Sequence, residues 1–219
     1  NIYKKYLEWF GNNFCKINIK EKDESAYKFY FGKTKSRLEL VKSNIYFQDL
    51  DSKKMINDKQ VLTIDEYINK IDWEELSNII STELFHGDLQ FDNILYNGYE
   101  FKFIDWREDF GGNTNFGDLY YDLAKMYGGM ILNYLEMKNP KNYEHMITGD
   151  NIIVNHYVDP ILKEIMEKDF LIFLKKNNFD FKRVKLLTAL IFLNMAPLHI
   201  NNFDKFLFLK SKILLSEAL

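Results

Sequence analysis

Cys15 is the only cysteine among 219 residues, which excludes an internal disulfide framework or a cysteine metal site and suits a reducing cytoplasm. Its expected role is that of a small apolar packing residue. Nowhere does a run of about eighteen apolar residues occur, so no membrane-spanning helix is expected. The most lipid-like stretch, Phe203 to Leu215, is broken by Lys205, Lys210 and Lys212. The start lacks the charged-then-apolar pattern of a signal peptide. Positive charge is not in excess: 29 Lys and Arg face 32 Asp and Glu, for a net charge of -3. With no global positive field, nucleic acid is not an expected partner. Glycine is sparse where it would matter, since the first eighty-five residues hold only Gly11 and Gly32. That excludes a glycine-rich phosphate-covering loop there. Gly32-Lys33-Thr34 does not make a P-loop either, because Tyr27 stands where the first glycine of Gly-x4-Gly-Lys-Ser/Thr is required. His145, His156 and His199 show no paired metal-ligand spacing.

What is present is a chain able to bury a sizeable core, 47% hydrophobic and 16% aromatic, read as one unit over residues 1–219. Apolar residues at mixed helical spacing predict helices over Ile2 to Phe14 and Ser25 to Asn44. Thr63-Ile64-Asp65-Glu66 carries a capping-box pattern and predicts a helix running towards Ile80. A helix of about fifteen to twenty residues is expected from Gly117-Asp118 to before Asn139-Pro140. Gly128-Gly129 inside it costs up to about 1 kcal/mol per glycine against alanine, which calls for a close backbone approach or a local break. A small hairpin is expected over His145 to Val154, then helices over 160–176, 180–195 and 201–217. The class is α+β and mostly helical.

The chemistry lies in His86-Gly87-Asp88-Leu89-Gln90-Phe91-Asp92-Asn93, followed by Phe103-Ile104-Asp105-Trp106. Phosphoryl transfer needs a carboxylate facing the acceptor hydroxyl, and an amide plus a second carboxylate to hold magnesium against the phosphates. Asp88, Asn93 and Asp105 have the types and order for those parts. Between them, Ile94-Leu95-Tyr96 and Phe101-Lys102-Phe103-Ile104 flank Asn97-Gly98, the strongest short hairpin signal. A hairpin brings Asn93 and Asp105 back towards one metal. Asp92 reads as a turn residue that bonds local backbone, and His86 as a packed residue whose hydrogen bond fixes the loop.

These motifs, with Gly117-Asp118-Leu119-Tyr120-Tyr121-Asp122-Leu123-Ala124, resemble the aminoglycoside phosphotransferase and choline kinase family, which is similar to protein kinases in its core. The resemblance covers residues 80 to 135. Phe29-Tyr30-Phe31-Gly32-Lys33-Thr34-Lys35-Ser36-Arg37-Leu38 is also similar to a segment of members found beside cell-surface sugar genes. The resemblance implies that Asp88 is the base, Asn93 and Asp105 ligate Mg2+ with bound ATP, and Asp122 is a buried brace for the catalytic loop. It also implies a small nucleotide-binding lobe, for which nothing before His86 reads. The chain is therefore expected to be the large C-terminal lobe of a kinase-like phosphotransferase, partnered by a small N-terminal lobe of the same polypeptide and poorly active alone.

For the acceptor, Asp105, Glu108, Asp109, Asp118 and Asp122 face one basic side chain, Arg107, in the same stretch, beside Trp106, Phe110, Phe116, Tyr120 and Tyr121. With Asp105 given to metal and Asp122 to structure, Trp106, Glu108, Asp109 and Asp118 are the candidate acceptor-binding residues. Carboxylates with aromatic faces suit an ammonium group. The leading expectation is a small-molecule kinase acting on choline, ethanolamine or an amino sugar. The alternatives are a kinase of a neutral cell-surface sugar precursor and a catalytically silent binding module of the same fold.

Overall fold

The structure, a computed structural model, describes residues 2–15, 19–22 and 24–219. In chain order the elements are α1 (Ile2–Phe14), β1 (Ile19–Lys22), α2 (Glu24–Tyr27), a π-helical turn (Lys28–Gly32), α3 (Lys33–Ser43) and α4 (Ile45–Ser52). Then come β2 (Met55–Ile56), β3 (Lys59–Gln60), α5 (Ile64–Lys70), α6 (Trp73–Leu76) and β4 (Asn78–Thr82). A 3-10 turn (Phe91–Asn93) leads into β5 (Ile94–Tyr96) and β6 (Phe101–Phe103). The remainder is β7 (Gly117–Asp118), α7 (Leu119–Ile131), α8 (Tyr134–Met137), β8 (Tyr143–Thr148), β9 (Asn151–His156), α9 (Pro160–Lys176), α10 (Phe181–Met195) and α11 (Phe203–Ala218). The architecture is α+β and mostly helical, with three small sheets ordered β1-β4-β7, β3-β2-β9-β8 and β5-β6. No helix among the described residues is long and apolar enough to cross a membrane.

The helix expected from Thr63 towards Ile80 is overturned. Thr63 does form the capping box with Glu66, but α5 stops at Lys70, and Asp72 caps a separate single turn, α6. Residues 78–82 are a strand instead, the central one of its sheet, paired with β1 on one side and β7 on the other. Ile79 is fully buried there. β-Branched residues fit such a pleated, buried surface better than a helix. The segment over Ser25 to Asn44 is helical but interrupted by the π turn, whose extra residue shifts the face that α3 presents.

The helix expected from Gly117-Asp118 to before Asn139-Pro140 is shorter: α7, of 13 residues, runs through its double glycine but ends at Ile131, and Asn133 caps a separate single turn, α8. A Cβ on Gly128 would lie 3.4 Å from the Phe192 ring, and one on Gly129 3.1 Å from the Phe91 ring. The close approach is by aromatic side chains of α10 and the 3-10 turn, not by backbone, and there is no local break. The second small hairpin forms over β8 and β9. Lys212, far from being a solvent-facing interruption of α11, is fully buried. Its ammonium reaches Asp51 Oδ1 at 2.9 Å and the Asp51 carbonyl at 3.0 Å, so the charge is paired inside.

The β5-β6 hairpin packs one face on α1. Tyr6 and Trp9 meet Phe101 and Phe103 edge-on or tilted, at centroid distances of 5.4–6.4 Å. Tyr96 pairs with Phe101, so the connection is the four-residue loop Asn97 to Glu100 rather than a two-residue Asn-Gly turn. Asn97 Oδ1 accepts from the Tyr99 and Glu100 amides, and Gly98 supplies a φ of +100°, which a side chain disfavours.

Next to the loop that carries His86 to Asn93, a Cβ on Gly117 would sit 2.2 Å from the buried Phe85 ring. Gly117→Ala is expected to cost about 1–3 kcal/mol through overpacking. The measurement is urea unfolding, where the midpoint should fall at unchanged slope; a midpoint equal to that of the parent would mean that Phe85 yields freely.

Candidate active site

Asp122 organises the loop. It is fully buried on the first turn of α7, and its carboxylate accepts the backbone amides of His86 (2.8 Å) and Gly87 (2.7 Å). Gly87 has a φ of +76°, and a Cβ there would lie 2.5 Å from Arg107 Cβ. Only glycine fits that turn.

His86 is also fully buried. Asp88 donates its backbone N–H to Nδ1 at 3.1 Å, so Nδ1 is unprotonated and Nε2 carries the hydrogen that it gives to the Ile104 carbonyl at 2.9 Å. Both ring nitrogens are committed, which leaves no lone pair for a base. Burial lowers the pKa of His86, against the Ile104 bond and the charges of Asp88 and Asp105.

Asp88 lies where the loop opens. Its Oδ1 meets Lys125 Nζ at 2.7 Å and Gln90 Nε2 at 2.8 Å, while Oδ2 has only a long contact of 3.5 Å from Asn93 Nδ2. Burial alone would raise its pKa, but the Lys125 ammonium, hydrogen bonds from Lys125 and Gln90, and Arg107 hold it below the usual carboxylate range. The Asp88 carboxylate is held towards its charged form, oriented, and open at one oxygen.

Asn93 donates Nδ2 to the Asp88 carbonyl at 2.8 Å, so its amide oxygen is turned the other way. The Ile104 amide donates to the Asn93 carbonyl at 3.1 Å, and Ile94 pairs with Phe103. Asn93 and Asp105 thus stand at the same end of the hairpin. Asp105 is exposed and holds a left-handed φ of +57°, rare for a residue with a side chain and common at functional positions. Among the described residues no group of three His, Cys, Asp or Glu forms a metal site. Magnesium that keeps waters and phosphate oxygens needs only one or two protein ligands, and an amide oxygen beside a free carboxylate is a donor set of that kind.

The candidate acceptor residues separate. Trp106 is 44% exposed, its ring 4.9 Å from that of His86. Glu108 is exposed. Asp109 is exposed too, but it accepts the Gly112 amide at 2.6 Å and closes a turn. Asp118 is corrected: it has no exposure and accepts from Tyr30 Oη (2.7 Å), Arg183 Nη2 (3.3 Å) and the amides of Ile80 and Tyr120. A carboxylate so buried and saturated is a structural tie and touches no acceptor. Asp92, expected to bond local backbone, is exposed and makes no such bond among the described residues.

Lys125 was missed by sequence reasoning. The signal was there: it lies three residues after Asp122 on α7, hence on the same helix face. Arg183, the partner of Asp118 from α10, had no local signal. No protein-family model matches the chain, and no curated protein or solved structure matches it significantly.

Removing the Asp122 carboxylate orphans two buried amides, each at about 1–3 kcal/mol, so Asp122→Ala should unfold at clearly lower urea concentration. Burial pushes the Asp122 carboxyl up to about 7, against the two amides. The folded chain then holds a proton there between about pH 4 and 7 that the unfolded chain releases. That contribution is complete below about pH 4 and is lost as pH rises through 7. Unfolding of Asp122→Asn and parent across this range should show the parent losing stability relative to the variant as pH rises; a constant gap would mean Asp122 stays ionised throughout.

Proposed function

We propose that the chain is the catalytic lobe of a phosphotransferase similar to aminoglycoside and choline kinases, moving the γ-phosphoryl of ATP to a hydroxyl of a small molecule. The observation that carries this reading is Asp88. Its Oδ1 is pinned by Lys125 and Gln90 while Oδ2 remains open beside Asn93. A carboxylate so presented can accept the proton of an acceptor hydroxyl. Asn93 and Asp105 would hold Mg2+, which with the nucleotide supplies neutralisation of phosphate charge. The outward face of the hairpin carries Leu95 and Ile104, 51% and 39% exposed, apolar surface suited to the flat base of a nucleotide.

The acceptor reading changes emphasis. An ammonium-bearing acceptor such as choline, ethanolamine or an amino sugar drew on Glu108, Asp109 and Asp118, of which Asp118 is buried and Asp109 closes a turn. Lys125 joins Arg107 beside Asp88. These observations favour a hydroxylated acceptor without a cation, the class of a cell-surface sugar precursor. A catalytically silent module of the same fold would have no use for an oriented, half-open Asp88, and magnesium-dependent nucleotide binding by the full-length protein separates the two.

In that full-length protein, Asp88→Asn should lower kcat by a hundred-fold or more, on the order expected for a lost base and lost positioning. Nucleotide affinity should stay within a few-fold, and turnover within about three-fold of the parent would move the base elsewhere. A panel of choline, ethanolamine, amino sugars and neutral sugars, compared by kcat/KM, should favour the neutral sugars; a clear win for choline would restore the ammonium reading.

A further inference from the structure

Three cations from separate elements lie within electrostatic reach of one another beside the loop that carries Asp88. Lys33 opens α3 directly after the π turn, and its backbone N–H closes that turn on Lys28 and Tyr30. Its ammonium lies 4.8 Å from the centroid of the Phe29 ring, and the Arg107 guanidinium carbon lies 5.4 Å from the same centroid. Arg107 donates Nε to the Gly87 carbonyl at 3.3 Å, next to Asp88, where Lys125 makes its 2.7 Å ion pair. The π turn matters here, because such turns re-aim the residues that follow them and cluster at functional sites.

These charges are poorly compensated. Among the described residues, Lys33 and Arg107 make no ion pair, and the terminal nitrogens of Arg107 donate to no protein group. Lys125 has three donor hydrogens and one acceptor, Asp88 Oδ1, although its side chain is only 8% exposed. One helical turn after Lys33, Arg37 has a buried Nε without a partner. Burial lowers the pKa of Lys33, and Arg107, Lys125 and Arg37 push it the same way against Tyr121. Like charges gathered at a partly buried place raise the free energy of the bare protein, and an anion relieves that cost. Asp88 pairs directly with Lys125 alone and acts on Arg107 only at longer range.

We propose that Lys33, Arg107 and Lys125 form an oxyanion site at the mouth of the catalytic loop, taking a phosphoryl group or an equivalent oxyanion carried by a substrate. Arginine offers a planar fork for two oxygens, and the lysines add point charges from either side. The place of this site in the reaction rests on the kinase reading; the binding of an oxyanion does not. Two sources share the chemistry: the phosphoryl group in transit to the acceptor, or an anionic group already on that acceptor.

Inorganic phosphate is the probe, titrated into the full-length protein and followed by calorimetry or by phosphorus NMR line width. Lys33→Met and Lys125→Met should each weaken binding by about ten-fold or more, the equivalent of one charge-assisted contact. Lys35→Met, an exposed neighbour outside the cluster, should bind as the parent does, and Lys125→Arg should recover most of the affinity. Thermal melting of each variant separates lost binding from lost fold. In turnover assays, a fall in kcat for Lys33→Met assigns the site to the phosphoryl in transit, and a rise in acceptor KM at unchanged kcat assigns it to an anion on the acceptor. Absence of saturable phosphate binding in the parent, or equal binding in parent, Lys33→Met and Lys125→Met, would overturn the proposal. Absence of turnover in a parent that binds phosphate through these lysines would overturn the kinase reading and leave the oxyanion site standing.

Discussion

One buried carboxylate holds the candidate site in shape. Asp122 takes the two amides of His86 and Gly87, and the rest follows from that anchor. Once the loop is fixed at Gly87, His86 turns inward and its ring links the Asp88 amide to the Ile104 carbonyl. That ties the loop to the segment that follows β6 and carries Asp105. The Asn93 side chain then closes the loop on the Asp88 carbonyl. A chain of fully used hydrogen bonds inside a protein is rigid because every alternative leaves a buried polar group unpaired.

Support for this anchor comes from packing that is local in space and distant in sequence. α7 is buried along its whole length, which its two glycines permit by admitting the Phe192 and Phe91 rings. Thr188 on α10 bonds the Ala124 carbonyl at 3.0 Å, fixing the turn between Asp122 and Lys125. Asp118, one residue before the helix, is held by Tyr30, Arg183 and two amides. Burial raises the pKa of Asp118, against Arg183 and its donors, and a carboxylate of this sort is kept for geometry. Position in the chain suggested a mouth residue; burial makes it a rivet for β4, β7 and α10.

How much of this was legible in the sequence depends on the range of the interaction. The hairpin after Asn93, the capping box at Thr63 and the last three helices are set by neighbours within a few residues, and each was readable. The strand at 78–82 was not. Thr63 announces where a helix begins and says nothing of where it ends. The pairing of 78–82 with β1 and β7 is a tertiary event that overrides local pattern. The same distinction separates the candidate residues: Asp88, Asn93 and Asp105 share one short motif, whereas Lys33, proposed here for an oxyanion, lies more than fifty residues before it. The span from Asp105 to Asp122 ends three residues short of Lys125, the cation that pairs with Asp88.

A cation on Asp88 has consequences for the chemistry open to it. An acid-lined mouth would attract a cationic acceptor yet repel the phosphoryl oxygens that must reach the same hydroxyl, so it needs a large cationic contribution from metal or from another part of the protein. With Lys125 on Oδ1 and Arg107 on the loop, the electrostatic demand is partly met by the chain itself. Lys125 also keeps Asp88 ionised, since the ammonium opposes the effect of burial. On the proposed phosphotransferase reading, one cation would serve two ends: it would leave the carboxylate able to accept a proton, and it would put positive charge beside the place where negative charge accumulates in transfer.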